Sequence, residues 1–123
     1  MSPGRKKETG GKGEQLAAQY LRNHGYTILH TNWRCRSGEI DIVAQKGGAI
    51  VFVEVRTRTA GGGFGSPEES VDARKQVKVR QTAQMYLYAH KQFNAPARFD
   101  VIGVELTPAG ELADLRHIEN AFV

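Results

Sequence analysis

Three carboxylates and one guanidinium in this 123-residue chain occupy positions where groups of their kind need a reason. Asp41, Glu54 and Arg56 stand among valines and isoleucines in GEIDIVAQKGGAIVFVEVRTR, residues 38–58. Glu14 shares a helical i, i+3, i+4, i+7 stripe with Ala17, Ala18 and Leu21. The Gly47-Gly48 pair signals a two-residue β-hairpin turn. With those glycines at its centre, the numbers of opposed residues sum to 95, so Asp41 faces Glu54, Glu39 faces Arg56 and Val43 faces Phe52. This register predicts one face with Glu39, Asp41, Glu54 and Arg56, and an apolar face with Ile40, Ile42, Val51, Val53 and Val55.

Opposed carboxylates repel one another across an antiparallel pair, where Cβ atoms lie about 4.5–5.5 Å apart. Water, a shared proton or a cation can relieve the repulsion, and on spacing alone a solvated face is as good a reading as a bound ion. Val43, Ile50 and Phe52 lie on the carboxylate face, which predicts a helix over its turn end. A divalent cation is the remedy with chemical content. Mg2+ takes hard oxygen ligands, one or two of them carboxylates, and the remainder from water and substrate phosphate. It polarises a phosphoryl oxygen and acidifies water, while a cation such as Arg56 steadies the charge on the phosphodiester.

The elements that must position these groups follow from periodicity. A helix is predicted over residues 12–24, stopping at Gly25, and strands over 27–35, 39–44 and 49–58. Residues 59–70 read as a glycine-rich loop, functional or mobile. A second helix is expected from Asp72 to His90 with Val79, Ala83, Tyr86 and Leu87 toward the core. Residues 98–106 form a further strand, and LRHIENAF a short strand or a turn of helix. The order α-β-β-β-α-β predicts an α/β domain with a mixed sheet flanked by helices.

Composition sets the setting. Apolar residues make up 40% and charged residues 24%, as in ordinary globular domains, and no apolar run is long enough to span a bilayer. The basic segment MSPGRKKETGGKG has no apolar stretch behind it, so a flexible arm over residues 1–11 is expected rather than a secretory signal, with a single domain over 12–123. One cysteine, Cys35, excludes an internal disulfide and fits a reducing, cytoplasmic setting. Net charge is +4, with ten of the seventeen Lys and Arg in residues 1–58, a bias that favours a polyanionic partner. Arg34, Arg36 and Arg58 flank the acidic centre and could follow a phosphate backbone; each alone reads as a solvated side chain. The four histidines lack metal-ligand spacing, and Gly61-Gly62-Gly63 lacks the Lys-Ser/Thr of a P-loop.

A Gly-Glu-x-Asp strand followed by an apolar strand ending Glu-x-Lys/Arg resembles the PD-(D/E)xK nuclease superfamily, whose core is α-β-β-β-α-β. More closely, GxxGExxAAxYL, NWRCRxGEIDIVA, VFVEVRTR, FGxPEES and RFDVIG resemble the YraN-type family of uncharacterised bacterial proteins, from Gly10 to Phe122. The resemblance implies a restriction-endonuclease-like fold akin to archaeal Holliday-junction resolvases. It also implies a Mg2+ or Mn2+ site built from a helix acid, a hairpin Asp and a Glu-x-Lys, and DNA, branched or processed, as partner. The matching positions are Glu14, Asp41, Glu54 and Arg56. Arg56 departs from the usual lysine: it can clamp phosphate but cannot lose a proton to act as a base. Lys75, on the sheet side of the second predicted helix, is a candidate replacement, although a lysine lying along the core edge reads the same way. A catalytically silent nucleic-acid-binding module and a protein-interaction domain are the alternative functions. Junction cutting would require a homodimer, for which the sequence carries no interface signature.

Overall fold

The computed structural model describes the backbone of residues 3–60 and 67–123 and the side chains of residues 11–60 and 69–123. Its elements are α1 (Pro3–Asn23), β1 (Thr27–Cys35), β2 (Gly38–Lys46), β3 (Ala49–Thr59), a 3-10 turn (Pro67–Ser70), α2 (Ala73–Ala89), β4 (Ala97–Leu106) and β5 (Leu112–Phe122). The five strands form one sheet in the order β1-β2-β3-β4-β5. Strands β3 and β4 are parallel, joined by the crossover through α2, and the other neighbours are antiparallel. This is the restriction-endonuclease-like αβββαβ core with β5 added at one edge.

Each face of the sheet has its own core. Ala17, Ala18 and Leu21 of α1 pack with Ile42, Ala44, Val51, Val53, Val55 and Ile102 on one face. On the other, Ala83 and Tyr86 of α2 cover Ile40, Val43, Ile50 and Phe52. Burying each Val, Ile or Phe contributes about 1.5–3 kcal/mol, so the central strand β3, apolar on both sides, anchors the domain. The helix over Val43, Ile50 and Phe52 is thus the expected one. Gly47 and Gly48 adopt φ of 58° and 84°, the left-handed pair a tight hairpin turn requires, and the ladder runs from Lys46↔Ala49 to Ile42↔Val53 in the predicted register.

Several boundaries differ from the sequence expectation. Helix α1 begins at Pro3, inside the segment expected to be an arm. Helix propensity is low across Gly10, Gly11 and Gly13, which is why the periodicity starts only after them. The last segment is a full strand: Leu112–Phe122 pairs with β4 along its length, and polar residues alternating on its outer side masked the pattern. Residues 61–66 of the glycine-rich loop lie outside the described residues.

Candidate metal and phosphate site

The site grows from a defect shared by two strands. Residues Thr31↔Ile42 and Trp33↔Ile40 are paired between β1 and β2, which places Asn32 and Asp41 opposite each other between them. Asn32 has a left-handed backbone, φ 51°, a conformation that Asn tolerates better than most residues. Across this point the alternation of sides slips. Ile42 points to the α1 core while Ile40, two residues away, joins Val43 in the α2 core. The expectation that Ile40 and Ile42 share one apolar face is therefore corrected. The physical reason is Asp41, whose Oδ2 accepts the backbone N–H of Val55 at 2.8 Å, where the ladder has ended at Ile42↔Val53. The side chain supplies the acceptor that the separating strand no longer provides.

Glu54 follows Ile50 and Phe52 on the α2 side of β3 and is 2% exposed. Its Oε1 lies 3.5 Å from Nζ of Lys75, which reaches in from the first turn of α2. That turn is fixed by Asp72, whose carboxylate caps it by accepting the N–H of Lys75. The other oxygen, Oε2, is buried without any hydrogen-bond partner, and so is Nε of Arg56. Orphaned polar atoms of this kind are costly, and here two lie two residues apart on the same strand.

The electrostatics agree. Burial raises the Asp41 pKa to about 6, helped by the charges of Glu14 and Glu39 and opposed by the Val55 amide and Lys75. Burial likewise raises Glu54 to about 7; the Asp41 charge adds to this, and Lys75 and Arg56 oppose it. Burial is the leading cause for both, so the pair titrates closer to neutrality than free carboxyls do. Glu14, half-buried on α1, completes the acidic group and is held by Nδ2 of Asn32, which donates to its Oε1 at 2.7 Å. Gly13 lets α1 approach this closely: a Cβ there would overlap the side chain of Thr57 on β3.

The remaining predicted residues are distributed as follows. Glu39 accepts from Nε of Arg34 and not from Arg56, so the facing of Glu39 and Arg56 is replaced by a β1–β2 ion pair. Arg36 is exposed in the β1–β2 turn. Arg58 pairs with Glu105 of β4 at 3.2 Å. Lys75 is the predicted flanking cation that contacts Glu54.

The residues fit a divalent cation in kind. Among the described residues, no three His, Cys, Asp or Glu side chains are grouped closely enough to enclose a metal. Mg2+ is held by one or two carboxylates with water and substrate oxygens, and Asp41 with the unpartnered Oε2 of Glu54 supplies that number.

Two features escaped the sequence reading. Asn32 was visible as a poor strand former inside TILHTNWRC. The second is the fully buried Asp100, which accepts from Nε and an Nη of Arg98, Nε2 of His117 and the Asn120 amide. Burial pushes its pKa up, but these donors outweigh it and hold the carboxylate below its ordinary range. An Asp amid RFDVIGV is a recognisable signal for such a buried cluster. It ties β5 to the sheet and, through the Tyr20 hydroxyl 3.1 Å from Nδ1 of His117, to α1.

Comparison with known proteins places these residues in a family context. The model of uncharacterised protein family UPF0102 matches residues 13–104. A UPF0102 protein of Geobacter metallireducens is 49% identical over 116 residues, covering 94% of this chain and 93% of the relative. Those of Desulforamulus reducens and Caldicellulosiruptor saccharolyticus are 47% and 42% identical, again covering more than nine-tenths of both chains.

Proposed function

We propose that this chain, which belongs to uncharacterised protein family UPF0102, is a metal-dependent nuclease acting on DNA phosphodiesters. The observation that carries the reading is the buried, unpartnered Oε2 of Glu54 beside Asp41, with Lys75 and the orphaned Nε of Arg56 on the same site. Asp41 and Glu54 would hold Mg2+ or Mn2+, with Glu14 acting directly or through water. When bound, the ion supplies charge stabilisation at a phosphoryl oxygen and a more acidic water. Arg56 cannot accept a proton, but its unsatisfied donor suits an oxygen of the scissile phosphate. Lys75 supplies the second cation at the position opposite Glu54, in place of the lysine missing from EVRTR. Arg34, Arg36 and Arg58 border this centre and would follow the backbone on either side. A cytoplasmic setting suits such a substrate.

The test is cleavage of linear, single-stranded and branched DNA with and without Mn2+. Metal-dependent product is expected from the native chain and not from Asp41→Ala or Glu54→Ala; product unchanged in both variants would refute the site. One specific feature favours a second reading, a silent nucleic-acid-binding module: Arg56 stands where the superfamily pattern has lysine. That reading predicts salt-sensitive binding without product under any metal.

A further inference from the structure

An open groove of about 750 Å3 runs between α1 and β1. Glu14 and Asn32 line it, hydrogen-bonded to each other, and Asn32 lies opposite Asp41 on the neighbouring strand, so the groove borders the Glu14–Asp41 side of the candidate centre. From there Gln15, Gln19 and Asn23 follow at i, i+4 and i+8 along one side of α1, a row of carboxamides about 12 Å long. Asn32 faces them from β1; its Nδ2 is committed to Glu14, which leaves its carbonyl oxygen free to accept. Arg22 is the one cation among the described residues of the lining.

This is the wrong chemistry for a phosphate track, which would be lined by Lys and Arg and would avoid Glu14. Carboxamides present a donor and an acceptor side by side, the pattern that matches the edge of a nucleobase. In a duplex the Watson–Crick edges are occupied by pairing and only the groove edges stay open, whereas a single strand offers both and its bases can be splayed into a groove. We propose that the α1–β1 groove receives unpaired nucleotides next to the scissile phosphate, so that the substrate class is DNA with a single-stranded segment adjoining a duplex. This rests on the nuclease reading above and narrows it.

Gln15 and Gln19 are exposed, so their replacement by alanine leaves the core intact. The experiment measures anisotropy of a fluorescein-labelled blunt duplex, and of the same duplex carrying an unpaired tail, without divalent metal. The native chain is expected to prefer the tailed duplex by about five-fold or more, as the loss of one to two hydrogen bonds would allow. The double variant Gln15→Ala/Gln19→Ala is expected to lose that preference while binding the blunt duplex unchanged. Equal binding of both DNAs by the native chain, or a preference that survives the double substitution, overturns the groove assignment and leaves the metal site standing. Binding of neither DNA, repeated with Ca2+ as a non-cleaving divalent ion, overturns both.

Discussion

Replacing Glu54 by Gln should stabilise the fold in metal-free solution at neutral and alkaline pH. Gln keeps the shape of the side chain and removes a charge that the site resists, whereas a structural ion pair with Lys75 would make the same change destabilising. The size follows from the raised pKa. A carboxyl moved from its ordinary 4.5 to about 7 costs the folded state about 3 kcal/mol once the pH exceeds both values, at about 1.4 kcal/mol per pH unit. The shift already includes the attraction of Lys75, which is partly exposed and so weakly paired. The sign is fixed by linkage: between about pH 4.5 and 7 the folded state binds more protons, so native stability falls as pH rises through that window and then levels off. Glu54→Gln removes this slope. Urea denaturation in EDTA from pH 5 to 8 should show the variant more stable by about 2–3 kcal/mol at pH 8, on the order of 10 °C in Tm, and little different at pH 5. Adding Mn2+ should raise the Tm of the native chain and close the gap. A variant less stable than the native chain at pH 8 without metal would refute the claim that Glu54 is an uncompensated charge.

Three further outcomes can be checked directly. Lys75→Ala removes the cation 3.5 Å from Glu54, so the apparent pKa values of the Asp41–Glu54 pair should rise further, read by carboxyl NMR titration. Gly13→Ala should cost about 1–3 kcal/mol by denaturation, because its methyl meets Thr57, and combining it with Thr57→Ala should restore much of the loss by removing Oγ1 and Cγ2. Asp100→Ala should cost about 3–5 kcal/mol by leaving Arg98 and His117 without their shared acceptor. Because the folded pKa of Asp100 is depressed, its contribution is complete above pH about 4 and lost as acid titrates it, so the native chain's acid unfolding should flatten in the variant.

The hairpin was legible because its register depends on two glycines and an alternation of valines, both local signals. Glu14, Asp41 and Glu54 were legible because each is an acid where the pattern calls for an apolar side chain. What alternation could not reveal was its own interruption. The expected face of Ile40 was wrong because a side chain, Asp41, captures the Val55 amide, and a strand whose backbone partner is a carboxylate obeys no two-residue period. The start of α1 was hidden because Gly10, Gly11 and Gly13 lower helix propensity there, although Gly13 is needed for the close approach to Thr57 of β3. The buried Asp100 cluster joins Arg98, His117 and Tyr20 across 97 residues of sequence, a separation at which spacing carries no information.

The same interruption explains why the site can exist at all. An unbroken ladder would occupy the Val55 amide with a backbone carbonyl and give β2 a regular pleat, with Asp41 on one face and its oxygens in solvent. Ending the pairing at Ile42↔Val53 lets Asp41 turn toward β3, and the left-handed Asn32 opposite lets β1 bend with it. Asn32 then holds Glu14, so one kink fixes two of the three acids. The third, Glu54, lies on the strand most deeply buried in the sheet and cannot move to meet water. The cost of that arrangement is an unpartnered carboxylate oxygen and an unpartnered guanidinium nitrogen. A fold selected for stability alone could relieve the first by substituting Glu54 and the second by substituting Arg56. Their presence together, beside a capped helix turn that delivers Lys75, is what the proposed cation with its phosphate would account for.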